Sequence, residues 1–211
     1  MKNNNKSSFY IAVVCVAVLS VFVSSSAFGW GKGTHAELTK QSIEKLREAG
    51  WLAPYLQNNL GLKRDVQEKL PYKRLGMFAR SKPTIIADIL TDGARQEDEP
   101  VWRAKNHFHS PIINSGLHQP LNNGESALAW ARGDSGKNEY SWAEARKYYK
   151  EAFEALEALP DPDEDTRQAE FEEKMALTFA SLGQVMHLIQ DMAVPAHTRN
   201  DMQGAGQVSA A

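Results

Sequence analysis

The stretch from 175 to 194, MALTFASLGQVMHLIQDMAV, is apolar or small at nearly every position, and it limits the fold more than any other feature. A helix of this composition has no polar face to offer water, so it must be buried all round. Its only ionisable residues are His187 and Asp191. Spaced by four, they lie about 40° apart round the axis, on the face of Ala176, Ala180 and Gly183, where small side chains let neighbouring backbones approach. An unpaired buried carboxylate costs several kcal/mol, so Asp191 requires cationic compensation. A hydrogen bond between His187 and Asp191 inside a core is the bland account. Pro195 and His197 point further. The proline breaks the helix, and His197 then swings back towards the pair, which gathers three ligand-type side chains where helical bundles place core metals.

The remainder also reads as helical. Thr34 with Glu37 has the form of a capping box, followed by Leu38, Ile43 and Leu46 as an apolar stripe and by Gly50 as the stop, which puts His35 in the first turn. Pro83 is placed to open a second helix through Ile85, Ile86, Ile89 and Leu90 that Gly93 ends. Ser141 with Glu144 repeats the capping box, and Trp142, Ala145, Tyr149, Phe153 and Leu156 follow at helical spacing up to Pro160; Pro162 and Asp165 lead into the last helix. No alternating strand pattern stands out. Residues 96–124, with Pro100, Pro111, Pro120, Gly116 and Gly124, read as a long ordered loop, and such a loop in a compact domain usually serves function. The expected architecture is an all-α multi-helix bundle.

Residues 1–29 are expected to be a signal peptide and not part of the fold. Lys2 and Lys6 precede an apolar run from Phe9 to Val23, and Ala27-Phe28-Gly29 supplies the small residues of a cleavage site. The run is short for a span, which needs roughly 20 apolar residues. Cleavage would expose Trp30 and remove Cys15, the single cysteine. An exported domain over residues 30–211 is then without thiols, so any metal must sit on His and carboxylates. That domain keeps 22 basic against 26 acidic side chains, a net charge of −4, which excludes a protein that coats nucleic acid through bulk positive charge.

HLIQDMAVPAH resembles the central metal motif of the superfamily shared by bacterial zinc-dependent phospholipases C and single-strand-specific zinc nucleases. In that pattern a His, an Asp four later and a His six beyond are zinc ligands, which His187, Asp191 and His197 match. WGKGTH is similar to the family's mature N-terminus, where a Trp gives its α-amino nitrogen and carbonyl oxygen to zinc ahead of a ligating His; Trp30 and His35 stand in those places. AKNHFHSP resembles the His-Phe ligand segment, which assigns His107, with His109 as the competitor. The family's upstream Asp maps to Asp98 in GARQED in preference to Asp92. His118 matches nothing and reads as a surface residue.

The resemblance implies a trinuclear-type zinc site in the core of the bundle. One Zn2+ would take Asp98, His107, His187 and Asp191, and a second Trp30, His35 and a bridging Asp191. The third would take His197 with a later His and carboxylate; no histidine follows His197, so the chain as given reads as a C-terminally incomplete member. The implied activity is phosphodiester hydrolysis by a metal-bound hydroxide, with Asp98 as the catalytic proton acceptor. A phospholipid headgroup ester is the favoured substrate, with transient membrane-surface contact, export to the periplasm or medium, and no stable nucleic-acid complex. A single-strand nuclease and an inactive zinc-binding helical fragment are the alternatives. Trp51, Tyr55 and Phe78 look too scattered to form a lipid-docking face.

Overall fold

The computed structural model describes residues 30–74, 80–118, 123–157 and 163–199. The described part is mostly helical, in agreement with the expected all-α class at that level. The helices are α1 (Lys32–Glu48), α2 (Leu52–Leu60), α3 (Ile86–Gln96), α4 (Ala127–Arg132), α5 (Trp142–Glu157), α6 (Glu164–Asp191) and α7 (Pro195–Arg199). Strands β1 (Lys69–Tyr72) and β2 (Lys82–Ile85) form one antiparallel pair with Leu70 opposite Thr84. The candidate signal segment, Phe78, Pro120, Pro160, Pro162 and everything beyond Arg199 lie outside the described residues.

The spine is α6, about 42 Å long at 1.5 Å per residue. Asp163 caps it, its carboxylate accepting from the Thr166 N–H at 2.8 Å. Helices α3 and α5 lie along it, and α1 packs on α3. Met175, Ala176, Phe179 and Ala180 of α6 meet Ile86 and Ile89 of α3, Ala152 of α5 and Leu70 of β1 in the main core. Burying each of the two isoleucines stabilises by about 1.5–3 kcal/mol.

One contact sets the depth of the α3–α6 packing. A Cβ built on Gly93 would stand 2.4 Å from the Ala180 carbonyl oxygen, and one on Gly183 would stand 2.3 Å from that of Leu90. Only two glycines facing each other permit this approach. The expected close packing along the Ala180–Gly183 face is therefore present, and it delivers the end of α3 to His187.

Several local expectations are corrected. Helix α1 begins at Lys32 with Gly31 at its cap and no side-chain cap bond, so Thr34 lies inside the first turn and the Thr34–Glu37 box does not form. Pro83 sits in β2, opposite Pro71, instead of opening a helix; a two-stranded ribbon has a free edge on each strand, which tolerates a missing N–H. Gly93 lies within α3 and serves packing, not termination. Helices α2 and α4 and the strand pair had no distinct pattern to announce them. Ser141 does cap α5, accepting from the Glu144 N–H at 3.3 Å. Nor is α6 buried all round, for Leu182 and Met186 are half-buried and Ile189 is exposed. These side chains border an apolar surface that also carries Trp51, Tyr55, Trp142 and Tyr149. Its main groove holds about 430 Å³. Trp51 and Tyr55 are thus brought together with two further aromatics, against the scattered picture drawn from their positions in the chain.

Candidate metal centre

The last turn of α6 presents His187 and Asp191 inward, and three other segments bring histidines to them. Helix α1 supplies His35 from its first turn, the 96–118 segment supplies His107 at the end of a 3-10 turn (Val101–Asn106), and α7 supplies His197. The return of α7 follows from Pro195, and the loop is tied to it where the His109 N–H donates to the His197 carbonyl at 2.9 Å. All four histidines and Asp191 are buried.

Each oxygen of Asp191 lies between two imidazoles. Oδ1 is 3.3 Å from His35 Nε2 and 3.2 Å from His197 Nδ1, while Oδ2 is 2.9 Å from His107 Nδ1 and 3.2 Å from His187 Nε2. Asp98, at the partly exposed mouth, has Oδ1 3.6 Å from His107 Nδ1 and 3.7 Å from His187 Nε2. The rings of His35 and His187 stack at 3.6 Å. Two groups result, His35–His187–Asp191 and Asp98–His107–His187, each with its ligand atoms within 4.8 Å of one another.

The outward nitrogens are committed elsewhere, which fixes the inward ones. His187 Nδ1–H donates to the Ala94 carbonyl at 2.6 Å, a bond made possible by the Gly93–Gly183 approach. His35 Nδ1–H donates to Gln190 Oε1 at 2.8 Å, and Gln190 Nε2 in turn donates to Thr39 Oγ1 at 2.9 Å. Both rings thereby turn an Nε2 lone pair to the centre, as outer partners do for metal-ligating histidines. Among the buried atoms, His35 Nε2, His107 Nε2, Asp191 Oδ2 and His197 Nδ1 make no well-formed hydrogen bond. An unsatisfied buried polar atom costs about 1–3 kcal/mol, and three of these four belong to the Asp191 carboxylate and the two imidazoles beside its Oδ1. A buried His/Asp set of this kind could hold a metal ion, and its nitrogen and carboxylate donors suit zinc.

Burial alone would raise the Asp191 carboxyl and lower the imidazoles. The hydrogen-bonding histidines, His107 first, instead hold Asp191 well below the usual carboxylate range. Burial is likewise outweighed at His107, which Asp191 and Glu97 push up to about 9, and at His35, which Asp191 raises. The imidazoles round Asp191 are thus the groups that, when protonated, would supply the cationic compensation its burial requires.

Other sequence candidates fall outside the cluster. Asp92 is engaged by Tyr72 at 3.1 Å and Arg74 at 3.3 Å, which leaves Asp98 as the acid beside the histidines. His109 turns to Ser126 Oγ at 2.8 Å, and His118 is exposed, as expected. The Trp30 ring lies 6.2 Å from that of His35 at the edge of the site. Sequence reasoning missed Glu97, Arg103, Trp130, Gln184 and Gln190. Their one available signal was the presence of two glutamines on the apolar half of α6.

No family model, no curated protein and no solved structure matches the chain, so the likeness to zinc phosphodiesterases rests on the motif residues.

Proposed function

We propose that this chain is an exported zinc-dependent phosphodiester hydrolase of the phospholipase C type. The observation that carries the reading is Asp191, a buried carboxylate with two imidazole nitrogens within 3.3 Å of each oxygen, an arrangement that would suit a carboxylate bridging two cations. His107, His187 and Asp98 would hold one zinc on the Oδ2 side. His35 would hold a second on the Oδ1 side with the Trp30 main chain, and His197, expected at a third zinc, lies 3.2 Å from the same oxygen and would be a further donor there. When bound, zinc supplies Lewis acidity towards a phosphoryl oxygen and lowers the pKa of water to about 7.

The chain's own groups do the rest. Ala94 and Gln190 lock the His187 and His35 tautomers, so no reorganisation is needed when a ligand arrives. Asp98 is the one carboxylate of the set that reaches solvent, which suits it to accept the proton of an attacking water. The net negative charge of residues 30–211 favours a lipid headgroup ester over a polyanionic substrate. The second reading, a single-strand nuclease, is favoured by the WGKGTH start, whose short gap between Trp30 and His35 resembles the nucleases more than the phospholipases. The test is hydrolysis of phosphatidylcholine vesicles, single-stranded DNA and a soluble aryl phosphodiester by the zinc-loaded protein. Turnover of vesicles and aryl diester, abolished by a chelator, is expected; no zinc-dependent turnover of any of the three overturns the proposal.

A further inference from the structure

Behind the cluster lies a second buried charge network. Glu97 is fully buried at the end of α3, one residue before Asp98. Its Oε2 accepts from Arg103 Nη2 at 2.5 Å, and its Oε1 accepts from Trp130 Nε1 at 2.8 Å. Arg103 Nη2 also reaches Gln184 Oε1 at 2.9 Å and Asn138 Oδ1 at 3.0 Å, its Nε donates to the Glu97 carbonyl at 3.2 Å, and its guanidinium lies 5.1 Å from the Trp130 ring centre. The carboxylate is thus held by donors from two elements, the 3-10 turn and α4, with Arg103 itself held by Asn138 and Gln184.

What this network faces is His107. Its Nδ1 points to Asp191, Asp98 and His187, and its Nε2, on the far side of the ring, has no hydrogen-bond partner. Glu97 Oε1 lies 3.7 Å from that Nε2. His35 and His187 each spend their outer nitrogen on a neutral oxygen, whereas His107 has a carboxylate behind it. We propose that Glu97 is a positioning residue. From 3.7 Å its negative charge favours the His107 tautomer that carries the proton on Nε2 and so presents Nδ1 to the metal. This rests on the zinc reading of the cluster and adds to it a residue that touches neither zinc nor substrate.

The experiment compares zinc affinity, by chelator competition, and the absorption of the cobalt-substituted protein for wild type, Glu97→Gln, Glu97→Asp and Trp130→Phe. Glu97→Asp keeps the charge for Arg103 but withdraws the oxygen from His107, and Trp130→Phe disturbs the anchor while leaving the carboxylate in place. Loss of an outer partner costs 10- to 100-fold in affinity. That loss, with an altered cobalt spectrum, is expected for both Glu97 variants, while Trp130→Phe loses thermal stability but binds within about threefold of wild type. Wild-type affinity and spectrum in the Glu97 variants, or an equal loss in Trp130→Phe, would make the network purely structural. Should the Glu97 variants fail to fold, nitrogen NMR of zinc-loaded wild type decides: a proton on His107 Nε2 is expected, and one on Nδ1 overturns the proposal. A wild type that binds no zinc refutes the zinc reading itself, which separates the two failures.

Discussion

Replacing Asp191 by Asn keeps the shape of the side chain and one accepting oxygen while removing the anion. The carboxylate is buried, with imidazole nitrogens at 2.9–3.3 Å on both oxygens. At these separations a single cationic imidazole attracts it by about 5 kcal/mol at an effective dielectric near 20. Desolvation offsets part of this, and breaking a buried pair costs about 3–5 kcal/mol. The metal-free variant should therefore be less stable by about that amount. A plain core hydrogen bond to His187 would cost only about 1–3 kcal/mol, a difference too narrow to decide by itself. Zinc separates the two cases. At a thousandfold excess over its Kd, zinc stabilises the folded state by about 4 kcal/mol, which for a domain of this size raises Tm by roughly 8–16 °C. The wild type should show that rise in a calorimetric titration, together with at least two zincs per chain by elemental analysis. Asp191→Asn should bind fewer zincs, and its Tm should hardly respond. Retained stoichiometry and an undiminished rise in Tm would refute the bridging role and leave the pair structural.

Three further outcomes are expected. An extra residue ahead of Trp30 should remove one zinc and the activity, while Trp30→Phe on a correctly cut chain keeps its metal, because the ligand atoms would be main-chain; equal zinc content with and without the extension removes Trp30 from the site. His107, raised from 6.5 to about 9 in the folded metal-free protein, should add stability that is complete below pH 6.5 and lost as the pH rises through about 9. Because zinc must displace that proton, apparent zinc affinity should climb with pH over the same window and level off above it, and a flat profile from pH 6.5 to 9 would contradict the assignment. Gly183→Ala places a methyl 2.3 Å from the Leu90 carbonyl oxygen, so it should cost about 1–3 kcal/mol by denaturant unfolding and also weaken zinc, since the Ala94 carbonyl moves away from His187.

What could be read in the chain was whatever one helix encodes by itself. The four-residue spacing of His187 and Asp191, the small face at Ala180 and Gly183, and the break at Pro195 each act within a turn or two of α6. They were legible as an inward pair, a close approach and a returning histidine. Gln190 and Gln184 belong to the same helix, yet their roles were not legible. Each is defined by a partner far off in sequence, His35 for one and Arg103 for the other. Pro83 and Gly93 show the converse failure, in which a residue's local habit is overruled. A helix-opening proline became part of an edge strand, and a helix-stopping glycine became the point where two backbones cross.

The same division decides how secure each part of the metal set is. Ala94 and Gln190 reach the inward rings through bonds of 2.6 and 2.8 Å, and those bonds depend on the packing of α3 and α1 against α6. Any change that separates α3 from α6, at Gly93 as much as at Gly183, must therefore release the His187 tautomer as well as open a gap. A substitution more than one turn from the nearest metal-facing atom would then lower zinc affinity with every ligand still in place. A loss of stability without a loss of affinity at Gly93→Ala would break that chain of causes at its first link.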